Sequence, residues 1–143
     1  MPIDQRFASS ILEVGVTFGF AEFACDPDDI TAAFGVVPDE VRRKGDQRRQ
    51  SSGRVFSVPF SSWRISSKVQ SKDVNEHFRE VLARLVGAAG RLDPRWGTPS
   101  FSVIYKATHL RNGNGPFFEA DVVQGIASFG AELWQDIYSV SAR

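Results

Sequence analysis

Two rhythms of apolar residues divide the chain into elements, one with the period of a strand and one with the period of a helix. In residues 11–23, Val14, Val16, Phe18 and Phe20 alternate with Gly15, Thr17, Gly19 and Ala21, which predicts a strand. Period two places the four large side chains on one face. The other face is small, suited to close approach of a partner or a covering loop. Asp26-Pro27-Asp28-Asp29 predicts a helix start. Asp26 can cap, Pro27 suits the first helical position, and the next two acids favour the positive end of the helix dipole. Ile30, Ala33 and Phe34 form its apolar stripe, and Gly35 stops it. These acids lack the set of spaced oxygen ligands that a calcium loop needs.

Val36 to Arg43 reads as a short strand or extended segment, and residues 44–53 as a polar loop with turns at Gly45-Asp46 and Ser51-Ser52-Gly53. Phe56, Val58 and Phe60 predict a strand that Trp63 and Ile65 continue, with Pro59 marking an edge or a bulge. Residues 72–89 carry the clearest helical period. Val74, Phe78, Val81, Leu82, Leu85, Val86 and Ala89 share one stripe, while Glu76, Arg79, Glu80 and Arg84 lie opposite. Ser71 is the expected cap and Gly90 the expected stop. A strand over 100–108, a glycine loop over 111–116, a helix over 119–129 and a strand from Leu133 to Val140 complete the chain. The helix turns Val122, Val123, Ile126 and Phe129 inward and ends at Gly130.

The element order is β-α-β-β-α-β-α-β. The expected fold is α+β, a largely antiparallel sheet of four or five strands with helices packed on one face, the two central strands paired around the basic loop. Its first six elements follow the split order of ferredoxin-like folds. Residues 1–10 read as loose, and the domain is counted from Val14, giving an arm over 1–13 and one α+β domain over 14–143.

Composition changes this picture little until charge is considered. The chain is neutral, with 17 basic and 17 acidic residues, and twelve phenylalanines suggest an aromatic core. Cys25 is the single cysteine, which excludes an intramolecular disulfide and a cysteine-built zinc site. The first residues lack the basic start and apolar run of a signal peptide, and no apolar stretch approaches the roughly 20 residues of a membrane helix. A cytoplasmic protein with no membrane contact is the expectation.

Charge, however, is segregated. Arg42, Arg43, Lys44, Arg48, Arg49 and Arg54, against Asp46 alone, give residues 42–54 a net charge of +5 and leave −5 for the remainder. Such a block can bind phosphates, with strong salt dependence. It can equally be a solvated hairpin loop whose arginines pair with the acidic surface. Trp63 beside Arg64 invites ligand stacking, against which stands a half-buried indole under the sheet rim. His77 or His109 could act as a general base with Asp46 or Asp136, but no nucleophile motif adjoins them and their spacing is not that of a helical metal site. Cys25, just before a helix start, is either an activated thiol or a small buried hydrophobe. Asn112-Gly113-Asn114-Gly115 lacks the Lys-Ser/Thr of a phosphate-binding loop and reads as a tight turn. No cofactor is implied.

Several short motifs recur in order: Asp26-Pro27-Asp28-Asp29-Ile30, Arg43-Lys44-Gly45-Asp46, Trp63 followed by Ser71 and the Val74–Leu85 helix, Asn112-Gly113-Asn114-Gly115, and Asp136-Ile137-Tyr138. Through them the chain resembles the bacterial domain-of-unknown-function family 4279 over roughly residues 14–138. Pro116 departs from the pattern. The family has no established activity, and some relatives look like immunity proteins of toxin systems. The resemblance therefore implies a non-catalytic module that binds a protein partner, and a structural turn at Gly45-Asp46 in which Asp46 accepts backbone N–H bonds. The alternative is nucleic-acid or anionic-ligand binding through residues 42–54. The candidate binding residues are Arg42, Arg43, Lys44, Asp46, Arg48, Arg49, Arg54 and Trp63. The oligomeric state is open, a homodimer included.

Overall fold

The alternation over residues 11–23 forms β1 (Ile11–Phe23), the central strand of a five-stranded sheet in the computed structural model, which describes residues 11–108 and 115–140. After β1 come α1 (Pro27–Phe34), β2 (Glu40–Arg42), β3 (Gln47–Arg49), β4 (Val55–Ser57), β5 (Ser61–Ser66) and α2 (Val74–Arg84). Two 3-10 turns, Ala88–Arg91 and Pro94–Trp96, lead to β6 (Ser100–Thr108), α3 (Ala120–Ser128) and β7 (Glu132–Val140). The sheet order is β2-β5-β1-β6-β7. The pairs β2–β5, β5–β1 and β1–β6 are antiparallel, and β6–β7 is parallel, joined by the crossover through α3. Strands β3 and β4 form a separate two-stranded ribbon. The fold is α+β and mostly antiparallel, with the helices on one side of the sheet.

The ribbon corrects the expected element order. Without it, β1, α1, β2, β5, α2 and β6 run β-α-β-β-α-β, but two short strands intervene between β2 and β5. The predicted Phe56–Phe60 strand stops at Ser57, because Val55–Ser57 pairs with Gln47–Arg49 and Pro59 has no N–H to extend a ladder. Phe56 is half-buried on the ribbon instead of in the core, and Phe60 is exposed.

The large side of β1 faces the helices. Phe18 has no exposed surface and lies 4.9 Å from the Phe101 ring, 5.2 Å from Phe129 and 5.5 Å from Phe20. Phe34, Trp63, Phe78 and Trp96 extend this aromatic layer between the sheet and α1 and α2. Tilted and edge-on contacts of this kind match the positive ring edges to the negative faces. β1 starts at Ile11, which is buried and pairs with Ala107, so the strand reaches into the stretch counted as arm.

The helices are shorter than their apolar stripes suggest. Asp73, not Ser71, caps α2, accepting the Asn75 N–H at 2.9 Å. The helix ends at Arg84 because the chain turns through Gly87 at φ 79°, which leaves Val86 exposed and returns Ala88 to the core. In α3, Val122 and Ile126 face inward as expected, but Val123 points outward. Buried Asn75 fastens α3 to α2: its Oδ1 accepts the Glu119 N–H at 2.8 Å and its Nδ2 donates to the Phe117 carbonyl at 3.1 Å. Arg79 adds ion pairs to Glu119 and Asp121. Among the described residues no helix is long and apolar enough to cross a membrane.

Candidate functional site

The basic block is a ribbon, and much of its charge is engaged inside the molecule. Arg42 pairs with Glu40 at 2.8 Å. Arg43 reaches Asp28 at 2.8 Å and Asp26 at 3.4 Å, so it binds the carboxylates that open α1. Asp26 also caps that helix, accepting the Asp28 N–H at 2.9 Å. Arg48 donates to the Val41 carbonyl at 2.9 Å and Arg49 to the Gly53 carbonyl at 3.2 Å. These two keep their charge but have lost freedom of reach. The side chains of Lys44 and Arg54 have no partner among the described residues. At Asp46 the main chain makes the turn: its carbonyl accepts the Val58 N–H at 2.8 Å, where the carboxylate was expected to accept.

Trp63 is not half-buried at a rim. It has no exposed surface, its indole Nε1 donates to Thr31 Oγ1 at 2.9 Å, and its ring packs on Phe34 and Phe20. A side chain so placed joins β5 to α1 and offers no ring face to a ligand.

Among the described residues, those weighed for acid–base chemistry sit on separate elements. His77, expected on the flank of α2, is buried and holds a loop: Nδ1 lies 2.7 Å from Ser67 Oγ and Nε2 2.7 Å from the Ser71 carbonyl. The carbonyl can only accept, so Nε2 carries the proton and Ser67 donates to Nδ1. Ser67 Oγ in turn accepts the Val16 N–H at 3.0 Å. Asp46 sits at the base of the ribbon and Asp136 on β7. His109 and Asn112-Gly113-Asn114 lie outside the described residues. Cys25 is free and half-buried against the core. Among the described residues no three His, Cys, Asp or Glu side chains are grouped to hold a metal ion.

A second surface takes shape on the helix-free side of the sheet, and strand register builds it. Across the strands, Arg64 stands level with Gly19 and Ser100, Ser66 with Thr17, Ser102 and Trp134, and Gly15 with Ile104 and Asp136. The middle of this face is therefore small. Thr17 and Ser66 join their hydroxyls at 3.0 Å across it. A Cβ at Gly19 would strike the Trp63 carbonyl oxygen and come within 2.9 Å of Arg64 Cγ, so only glycine lets the arginine stem lie over β1. A groove of about 280 Å³ results, with Thr17, Gly19 and Ser102 among its floor residues and Arg64 and Asp136 in its lining.

One margin of the face is bulky. Ile104, Trp134, Tyr138 and Val140 are exposed by 39, 62, 49 and 41 %. Lys106 pairs with Glu13 at 3.0 Å and sits 5.7 Å from the Tyr138 ring centroid. Trp134 Nε1 donates to Glu132 at 3.1 Å. The small half of this surface was legible in the alternation of β1. The bulky half was not, because β7 has large residues on both phases: Leu133 and Ile137 lie on the phase of the helix side, Trp134 and Tyr138 on that of the open side, and all nine residues of the strand are exposed. That double-sided pattern is itself the available signal, since a strand with one face left to solvent alternates apolar with polar residues.

The sequence model of one family, described as Domain of unknown function (DUF4279), matches residues 12–140, nearly the whole chain, and the chain belongs to that family. No curated protein and no solved structure matches it.

Proposed function

We propose that this DUF4279 domain is a non-catalytic binding module that engages a protein partner through the helix-free face of its sheet. The observation that carries the reading is the exposed margin of Ile104, Trp134, Tyr138 and Val140 beside a floor of small residues. Contiguous apolar surface with a polar rim marks interaction sites. Trp, Tyr and Arg, all present here, are the residues that most often dominate binding energy. An immunity-type role is one case of this reading, with a toxin as the protein held. A lone free Cys25 suits a reducing compartment, and the reading places the module in the cytoplasm.

A photoreactive phenylalanine analogue at position 134 tests the proposal. Irradiation of cells producing the chain should give protein adducts from position 134 and few from position 37, where Val37 is exposed on a different surface. Lack of adducts from position 134 would overturn it.

The second reading is anion or nucleic-acid binding by the ribbon, favoured by the unpartnered Lys44 and Arg54. It expects binding to short nucleic acids at low salt that is lost at physiological salt and in the triple variant R48A/R49A/R54A. The ion pairs of Arg42 and Arg43 and the burial of Trp63 weigh against it.

A further inference from the structure

The helix-free face is divided into halves of opposite character, and the halves fit each other. On β1 and its β5 side lie Gly15, Thr17, Gly19, Ala21 and Ser66. Toward β7 lie Ile104, Trp134, Tyr138 and Val140. Charges follow the same division. Glu40 is paired with Arg42, and Glu13 with Lys106. Glu132 accepts the Trp134 indole N–H, and Arg64 and Asp136, one of each sign, are left without a side-chain partner among the described residues. They stand at opposite ends of a diagonal across β1 and β6, since Arg64 is level with Gly19 and Asp136 with Gly15.

We infer that the occupant of this face is a second copy of the chain, packed sheet to sheet about a two-fold axis. The inference rests on the reading that this face binds protein, and it names the partner. A two-fold axis lying between the sheets and perpendicular to the Arg64–Asp136 diagonal exchanges the two ends. Arg64 of each copy then meets Asp136 of the other, so one complementary pair of residues supplies two ion pairs. The same operation lays the bulky margin of each copy on the small half of its partner. An isologous contact requires this self-complementarity, and two-fold dimers are the commonest oligomers. Facing sheets ordinarily stand about 10 Å apart. A floor of glycine, alanine, serine and threonine leaves room within that gap for the Trp134 and Tyr138 rings. Pairing through the open β7 edge is the competing dimer, and it does not bring Arg64 to Asp136.

Sedimentation of the purified full chain over a wide concentration range tests the inference, with R64D, D136R and the double variant beside it. Both side chains are exposed, so each variant should keep the native circular dichroism and, at concentrations where every form is monomeric, the wild-type melting temperature. A dimer is expected for the wild type. Each single reversal sets like charges face to face, which should raise the dimer dissociation constant by about 100-fold or more. The double variant restores opposite charges and should dimerise again. A chain monomeric at every concentration overturns the inference. So does a dimer indifferent to the single reversals, as edge pairing would be, or a double variant that fails to recover. The photoreactive analogue at position 134 separates the two levels of the argument. An adduct of the chain with itself agrees with the dimer. A monomeric chain that gives adducts with another protein sinks the dimer and leaves the protein-binding reading intact, whereas a monomer without adducts sinks both.

Discussion

The two faces of β1 share one backbone and carry side chains of opposite size. Toward the helices, Val16, Phe18 and Phe20 are almost wholly buried and each meets other apolar side chains. Toward the open side, Thr17, Gly19 and Ala21 line a groove. Stability comes from the first face, because apolar area removed from water is the dominant favourable contribution to folding. The second contributes little burial, which leaves its composition to serve contact with another molecule. Gly19 connects the two, since its missing side chain lets β5 and the Arg64 stem close over β1.

Substitutions that separate the faces should rank in a definite order. Phe18→Ala empties the centre of the ring cluster and should cost about 3–5 kcal/mol in denaturant unfolding. Asn75→Ala, behind the covered face, would strand the Glu119 N–H and the Phe117 carbonyl where α3 begins. The expected cost is about 1–3 kcal/mol, from two lost hydrogen bonds at a partly buried junction. On the open face, Gly19→Ala forces a methyl against the Trp63 carbonyl and the Arg64 stem and should also cost about 1–3 kcal/mol. Gly15→Ala, four residues earlier on the same face, meets nothing within 4 Å and should change stability by no more than about 0.5 kcal/mol. Equal effects at the two glycines would show that Gly19 owes its place to something other than the closeness of β5. Trp134→Ala should abolish association at the face while leaving the melting temperature of the monomer nearly unchanged. A large loss of stability there would make Trp134 part of the fold.

Acid should act on the seams around the covered side. Burial alone would raise the Asp39 carboxyl, but the Ser66 N–H at 2.7 Å and the cations of Lys68 and Arg84 outweigh it and hold the group below its usual value. Hydrogen bonds from Arg79 lower Asp121 and those from Arg95 lower Asp93. A carboxylate whose folded value is depressed adds stability that is complete above its unfolded value and is lost as pH falls through the folded one. The melting temperature should therefore drop on acidification below about pH 5. Asp39→Asn should be less stable at neutral pH and show a shallower acid slope. An unchanged slope would remove Asp39 from this account.

Elements with one apolar face were the readable ones. β1, α1, β6 and the inward stripe of α2 follow their alternation, and Asp26 caps α1 as its type and place suggest. The ribbon was not readable, because Gln47–Arg49 has no apolar alternation and becomes a strand only by pairing with Val55–Ser57. The apolar stripe of α2 ran past its true end because Val86 fits the period, while the left-handed turn at Gly87 breaks the helix. Charge alone overstated the basic block, since the carboxylates that neutralise Arg42 and Arg43 lie on Glu40 and on the residues that start α1.

Local order along the chain determined which side of β1 is core and which is small. In a strand, neighbouring side chains point to opposite faces whatever the partners are. What stands on the small side was decided by tertiary structure alone. Antiparallel pairing with β5 sets Arg64 over Gly19, and the parallel crossover sets Asp136 and Trp134 beside Ile104 and Ser102. Those registers join segments far apart in the chain, and they depend on which strands can bury their apolar sides together under α1, α2 and α3.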